Sequence, residues 1–284
     1  DERHLARLCD DAGDEEGFCA AFADWCDRPD AGARAGDHVV LARRLQRRGQ
    51  LDAARTRAER ATVVDPDEPS GWLLLAELEL GRDEPGRAAA AWDRAARSSD
   101  PESGARHRLA AARALAASEP EEAHALLERA VAQDPGSLEV RIALVRSADH
   151  LDRGATTVRE AEAALTLADD RTIDPSVRTE VALLGARAAR SLGDAGATRR
   201  LLAAVLDTDP DHVEALEALA EARFEDGDLR EARTLLERRL EQPGEPSSRA
   251  RHLAMIARGL ETEAAPDAAR ARYEEALALD PALD

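Results

Sequence analysis

The sequence predicts an all-α chain built as a stack of antiparallel helical hairpins, and three observations carry that expectation. Proline recurs at a near-constant spacing, the segments between prolines have helical periodicity, and the composition suits many thin helix–helix contacts better than one deep core. The spacing is clearest in the dipeptides Asp65-Pro66, Asp100-Pro101, Asp134-Pro135, Asp174-Pro175, Asp209-Pro210 and Asp280-Pro281, with Gln242-Pro243 filling the gap. Successive prolines lie 33 to 40 residues apart, which sets a unit of near 34 residues. Proline disfavours helix in the residue before it and cannot donate within a continuing helix, so each rung marks the end of one helix and the start of the next unit.

Composition agrees. Aromatics are 2% of 284 residues and mean hydropathy is -0.47, so the core must come from Ala, Leu and Val, which allow close helix contact. A chain of this length fits one extended array in which each unit packs on its neighbours. The 39 basic residues stand against 58 acidic ones, and a net charge of -19 argues against nucleic acid or anionic lipid as partner. There is no Lys and no Asn, so every basic residue is Arg, as codon bias in a GC-rich bacterial genome would produce. Schiff-base and phosphate-loop lysines are thereby excluded. No apolar run approaches the ~18 residues that span a bilayer, so no membrane insertion is expected. The chain opens at Asp1 without a basic-then-apolar leader, so any targeting segment is expected to be removed or outside it, with a cytoplasmic location. Cys9, Cys19 and Cys26 are an odd set, which fits a reducing compartment. On one helix the last two would sit about 10 Å apart, beyond disulfide reach.

Residues 1–34 differ from the rest, holding all the cysteines together with Phe18, Phe22 and Trp25 at helical spacing. They are expected to be divergent capping helices, since terminal repeats are atypical. The alternative is a docking helix that presents the three rings. The array itself is expected over 35–284, in units of about 35–68, 69–103, 104–137, 138–178, 179–212, 213–249 and 250–284. The first carries Leu41, Ala42, Leu45, Gly49, Leu51, Ala54, Ala61 and Pro66, and the second Trp72, Ala76, Ala88, Trp92 and Ala95. Ala111, Ala123 and Ala130 follow, then Ala186 with Gly193, then Ala220 with Gly227 and Ala232. In the last unit Leu253, Ile256, Ala257 and Leu260 form one stripe and Ala269, Tyr273 and Ala276 another, parted by Ala264-Ala265-Pro266. The unit from 138 departs from the others: its second helix is expected late, near Thr157, with Ala161, Leu165 and Ala168 as core. A kink or protruding loop is expected at Asp149–Gly154.

These places resemble the tetratricopeptide repeat, with a large residue at the fourth position, small residues at the eighth, twentieth and twenty-seventh, and proline near the thirty-second. The small residues have a steric reason, because paired helices close up only where one side chain is little more than a methyl. The resemblance implies a right-handed superhelix that serves as a protein–protein interaction scaffold and helps assemble a complex, with ligands along a concave face built from the first helix of each hairpin. By position that face holds Arg43, Arg47, Leu73, Glu77, Arg108, Ile142, Arg146, Leu183, Arg187 and Arg190, then reverses sign at Glu214, Glu217 and Glu221. Arg concentrated in one groove would favour an acidic or carboxylate-bearing protein or peptide segment, whereas the bland alternative is a row of ordinary solvated side chains. Relatives that clamp the carboxylate of chaperone tails use Lys and Asn, both absent here, so that role is not expected.

Residue patterns that carry chemistry are few. His4 and the cysteines lack the close spacing that presents two ligands to zinc, so neither a metal nor a cofactor is expected. Asp207-Thr208-Asp209-Pro210-Asp211 imitates a calcium loop, but His212 stands where its turn needs Gly and Ala218 where it needs the closing Glu. No nucleophile or zinc-hydrolase motif occurs, and His38 falls at a core place, so the chain is expected not to be an enzyme. Two rival readings remain: a recognition region of a larger protease or kinase, and a structural protein self-associating through Phe18, Phe22 and Trp25.

Overall fold

The computed structural model describes residues 2–169 and 173–282. Among these residues are sixteen helices and no strand. The chain divides into two compact units, Asp1–Ser147 and Ala148–Asp284. In the first, α1 (Glu2–Asp11), α2 (Glu15–Cys26), α3 (Ala35–Arg47), α4 (Leu51–Val64), α5 (Pro69–Leu80), α6 (Pro85–Ser98), α7 (Pro101–Leu115) and α8 (Pro120–Gln133) each pack on the next, and α3 also packs on α5. The unit ends within α9 (Leu138–His150). In the second, α10 (Gly154–Asp169), α11 (Pro175–Ser191), α12 (Ala195–Thr208), α13 (Val213–Glu225), α14 (Leu229–Leu240), α15 (Pro246–Thr262) and α16 (Pro266–Leu279) do the same. Packing of helices on their sequence neighbours within each unit is the arrangement the periodic sequence requires.

The proline ladder turns out to contain two kinds of rung. Asp100 and Asp174 cap the N-termini of α7 and α11, accepting from Ser103 N–H at 3.0 Å and Ser176 N–H at 2.8 Å, with the following proline as first helical residue. Asp65, Asp134, Asp209 and Asp280 instead end α4, α8, α12 and α16. Each of these four folds its carboxylate back on the N–H two residues ahead, at 3.1, 3.1, 3.3 and 3.1 Å in turn. This is the local turn that Asp favours, and proline after it prevents the helix from continuing.

The small residues are where the packing needs them. Ala42, Ala76, Ala111, Ala186, Ala220 and Ala257 are all buried, as are Ala54, Ala61, Ala88, Ala95, Ala123, Ala130, Ala232, Ala269 and Ala276. At Gly185 on α11 even a methyl is too much, since a Cβ would come within 2.7 Å of the Ala161 methyl on α10.

The expected loop at Asp149–Gly154 is corrected. Only residues 151–153 separate α9 from α10, the same three-residue link as 48–50 and 192–194. Asp152 takes the left-handed backbone (φ 53) that Gly49 and Gly193 take at the equivalent turns (both φ 73), so an Asp does the work of a glycine without added length. The second helix starts at Gly154, about one turn before Thr157. The extra residues of this stretch lengthen α10 and α11 to 16 and 17 residues and extend the link between them, part of which, 170–172, lies outside the described residues.

Candidate protein-binding surface

The N-terminal aromatics are not a docking surface. Phe18, Phe22 and Trp25 lie on one face of α2 and are 6%, 9% and 7% exposed, within the same core as Leu41, Ala42 and Leu45. Their ring centroids stand 5.1 and 5.2 Å apart, Arg44 covers Phe18, and Arg3 covers Trp25. Three rings at helical spacing on a helix with little other bulk fill a core by hydrophobic burial, which leaves nothing to offer a partner or a second copy. Cys19 and Cys26 are buried alongside, and burial pushes the Cys26 thiol up to about 11, far from a reactive thiolate.

Of the positions on the first helices in the N-terminal unit, Arg43 and Arg47 on α3 are exposed, and Leu73 on α5 is half-buried. Arg43 reaches Glu77 on α5 at 3.5 Å. Ile142 on α9 is half-buried and Arg146 exposed. Arg108 is the exception and corrects the expectation. It is turned inward from α7, its side chain 12% exposed, donating to Asp93 of α6 at 2.8 Å and to the Gln133 side chain of α8.

Asp93 is itself 7% exposed and also meets Arg97 at 2.9 Å and Arg129 at 3.2 Å. Burial alone would raise the Asp93 carboxyl, but hydrogen bonds from Arg97 and Arg108 and the charge of Arg129 outweigh it and hold the group below the ordinary carboxylate range. Arg108 therefore joins three successive helices and is not part of a ligand-facing row.

In the C-terminal unit α11 presents Leu183, Arg187 and Arg190 at intervals of four and three residues, so they share one side of the helix. Leu183 is half-buried, and both arginines are exposed. Arg187 makes a two-pronged contact with Glu214 at the start of α13, at 2.9 and 2.7 Å. Those bonds hold Glu214 below the ordinary carboxylate range, helped by the charge of Arg190. Arg190 itself has no ion pair among the described residues. Beyond it, Glu217 on α13 is drawn into a half-buried contact with Arg239 of α14 at 2.6 Å, whereas Glu221 stays exposed.

Sequence reasoning missed the commitment of these charges to one another. One signal was present for Asp93, an acid four residues before Arg97 on the same helix face. None was present for Arg108 or Gln133, which come from other helices.

The geometry defines a repeat protein of stacked helical hairpins with small-residue contacts at fixed places. Family models for the tetratricopeptide repeat match residues 39–104 and 189–256, so the chain carries tetratricopeptide repeats over those stretches. Such a fold is in general a non-catalytic scaffold for protein–protein interaction, binding protein or peptide partners. No curated protein matches the chain in sequence. Among solved structures, a chain of the Naa15/Naa10 complex bound to HypK-THB resembles all of this chain over 43% of its own length, with TM-score 0.56 and 16% identity. YrrB, described as a TPR protein with an unusual peptide-binding site, matches 70% of this chain over 98% of its own (TM-score 0.46, 16% identity). MamA from Desulfovibrio magneticus RS-1 matches 66% over 98% (TM-score 0.42, 14% identity). At such identities the first of these likenesses shows the fold. Among the described residues no helix is long and apolar enough to cross a membrane.

Proposed function

We propose that the first helices of the hairpins bind a protein or peptide segment bearing a carboxylate, and that α11 provides the central contact for assembling a complex. The observation that supports this is the Arg187 fork. It already holds a carboxylate, that of Glu214, in the geometry guanidinium prefers, and it does so at the surface beside an uncommitted Arg190 and a half-buried Leu183. A partner carboxylate replacing Glu214, or joining Arg190, would gain the same two-pronged bond while its neighbouring side chain covers Leu183. Arg is also among the residues that most often dominate interface energy.

A random peptide library displayed against the 284-residue chain tests this directly, with the Arg187→Ala/Arg190→Ala variant as the comparison. The expected result is enrichment of peptides with acidic side chains or a free C-terminal carboxylate by the parent, with the enrichment lost in the variant at unchanged helicity by circular dichroism. Equal enrichment by both would remove α11 as the site.

A further inference from the structure

On the second helices of three successive hairpins in the N-terminal unit, arginine stands at one repeat place. It comes just before a buried alanine: Arg60 before Ala61 on α4, Arg94 before Ala95 on α6, and Arg129 before Ala130 on α8. All three arginines are exposed. Arg129 is committed, to Asp93 at 3.2 Å and to Glu122 at 2.7 Å. Arg60 and Arg94 have no ion pair among the described residues. The carboxylate that borders Arg60, Asp27, gives both oxygens to Arg57, and Arg94 lies over the Trp72 ring, 5.4 Å from its centroid. One turn on from Arg94, Arg97 uses a single nitrogen on Asp93 and keeps a side chain 55% exposed. In a chain of 39 bases and 58 acids, adjoining guanidinium groups without carboxylates of their own are where an acidic partner has most to gain.

Between α6 and α8 this row borders a cleft of about 380 Å³, at the small end of the range for ligand pockets. Ala89, Leu115 and Leu126 make an apolar floor, with exposed Ala90 at the rim. Arg94 and Arg97 line the α6 side and Arg129 the α8 side. The acids of the cleft leave these cations available. Asp93 is answered by Arg97, Arg108 and Arg129, and Glu122 is held by Arg129. Glu119 stands beside Gly86, eight residues and ~12 Å along α6 from Arg94.

We propose that an extended acidic segment of a partner protein crosses α4, α6 and α8 on this side, with carboxylates on Arg60 and on the Arg94/Arg97 pair and an apolar side chain in the α6–α8 cleft. Guanidinium meets carboxylate in a planar, two-pronged contact, and the cleft selects what accompanies the charge. Neighbouring helices lie ~10 Å apart and an extended chain advances ~3.3 Å per residue, so acids about three places apart fit the row. These helices are not those that carry Arg187 and Arg190, and the two surfaces are separable by mutation.

A random peptide library displayed against the whole chain carrying Arg187→Ala/Arg190→Ala tests this, because α11 cannot contribute on that background. Two further variants are made on it. Arg60→Gln/Arg94→Gln removes two charges that hold no ion pair in the fold, and Ala90→Phe fills the cleft from its rim and leaves every arginine in place. The background chain should enrich peptides with acids about three places apart and an apolar residue beside them. Arg60→Gln/Arg94→Gln should cut capture of those peptides about tenfold, as the loss of two exposed ion pairs would, at unchanged helicity. Ala90→Phe should keep the preference for acids and lose that for the apolar residue. Acidic peptides recovered by the parent but not on this background would assign them to α11 and overturn the row as a site. Undiminished capture by the Gln variant, or an apolar preference that survives Ala90→Phe, would overturn it as well.

Discussion

Asp93 lies among three guanidinium groups contributed by three consecutive helices, so its charge holds α6, α7 and α8 together. Replacing it by Ala leaves Arg108, with its 12% exposed side chain, without its carboxylate. Removing one partner of a buried pair costs ~3–5 kcal/mol, and the half-exposed Arg97 and Arg129 bring the expectation to about 2–3 kcal/mol. Urea denaturation of Asp93→Ala against the parent measures it, and a loss below about 0.5 kcal/mol, the range of ordinary surface changes, would show that the cluster is incidental. The buried histidines set a pH dependence. His38 and His252 have their pKa lowered, in each case first by burial, so the unfolded chain takes up protons before the folded one does. Their contribution is complete above the unfolded value of ~6.5 and is lost as pH falls below it toward the folded values. Melting temperature should drop between about pH 7 and 5, and His38→Gln with His252→Gln should flatten that slope. An unchanged slope would place the acid sensitivity elsewhere. His38 was legible as a core residue because its place in the repeat is a local property. The fates of Arg108, Arg187 and Arg43 were not, because whether an arginine faces a ligand or a neighbouring carboxylate depends on a partner 15 to 34 residues away.

At the scale of the helix and its turn, most of the hairpin links share one backbone requirement met by different residues, the link 116–119 before α8 being an exception. Gly49, Gly193 and Gly227 adopt left-handed φ in the links before α4, α12 and α14, while Asp83, Asp152 and Ala264 adopt it before α6, α10 and α16. Asp tolerates this region, but Ala264 has no side-chain hydrogen bond to offset the clash of its Cβ, which costs roughly 1–2 kcal/mol. Ala264→Gly removes the clash and loosens the unfolded chain, so a net gain of about 0.5–1 kcal/mol is expected, measured as a raised denaturation midpoint. A loss would mean that φ 57 is not strained in the native protein. The same requirement explains why the link after α9 was misread. The sequence has Asp152 at the middle place of the link and its glycine, Gly154, two residues later, which reads as a longer loop unless Asp is allowed to take the glycine's place. The Asp-Pro rungs carried a parallel ambiguity. Both a capping Asp before a helix and a terminating Asp after one precede proline, and what separates them is whether a helix begins at that proline, as at Pro101 and Pro175, or has just ended before the Asp, as at Asp65.

Across the molecule, contacts join each helix mainly to the next, so stability is expected to be a sum of unit and neighbour terms. The periodic alanines made this legible, since each small residue reports a contact only one helix away. It follows that damage should stay local. Leu202 on α12 is 1% exposed, and truncation to Ala in such a site costs ~2–5 kcal/mol through lost burial and the cavity left behind. In a single cooperative globule that loss would raise amide exchange everywhere, because every opening would pass through the same unfolded state. In a nearest-neighbour array it falls on the hairpins that share the packing. Hydrogen exchange read by mass spectrometry on Leu202→Ala should show faster exchange in α11, α12 and α13 and unchanged exchange in α3 to α6, four or more helices away along the chain. Faster exchange in α3 to α6 by the same factor as in α12 would show that the chain unfolds as one body and that neighbour packing does not govern its stability.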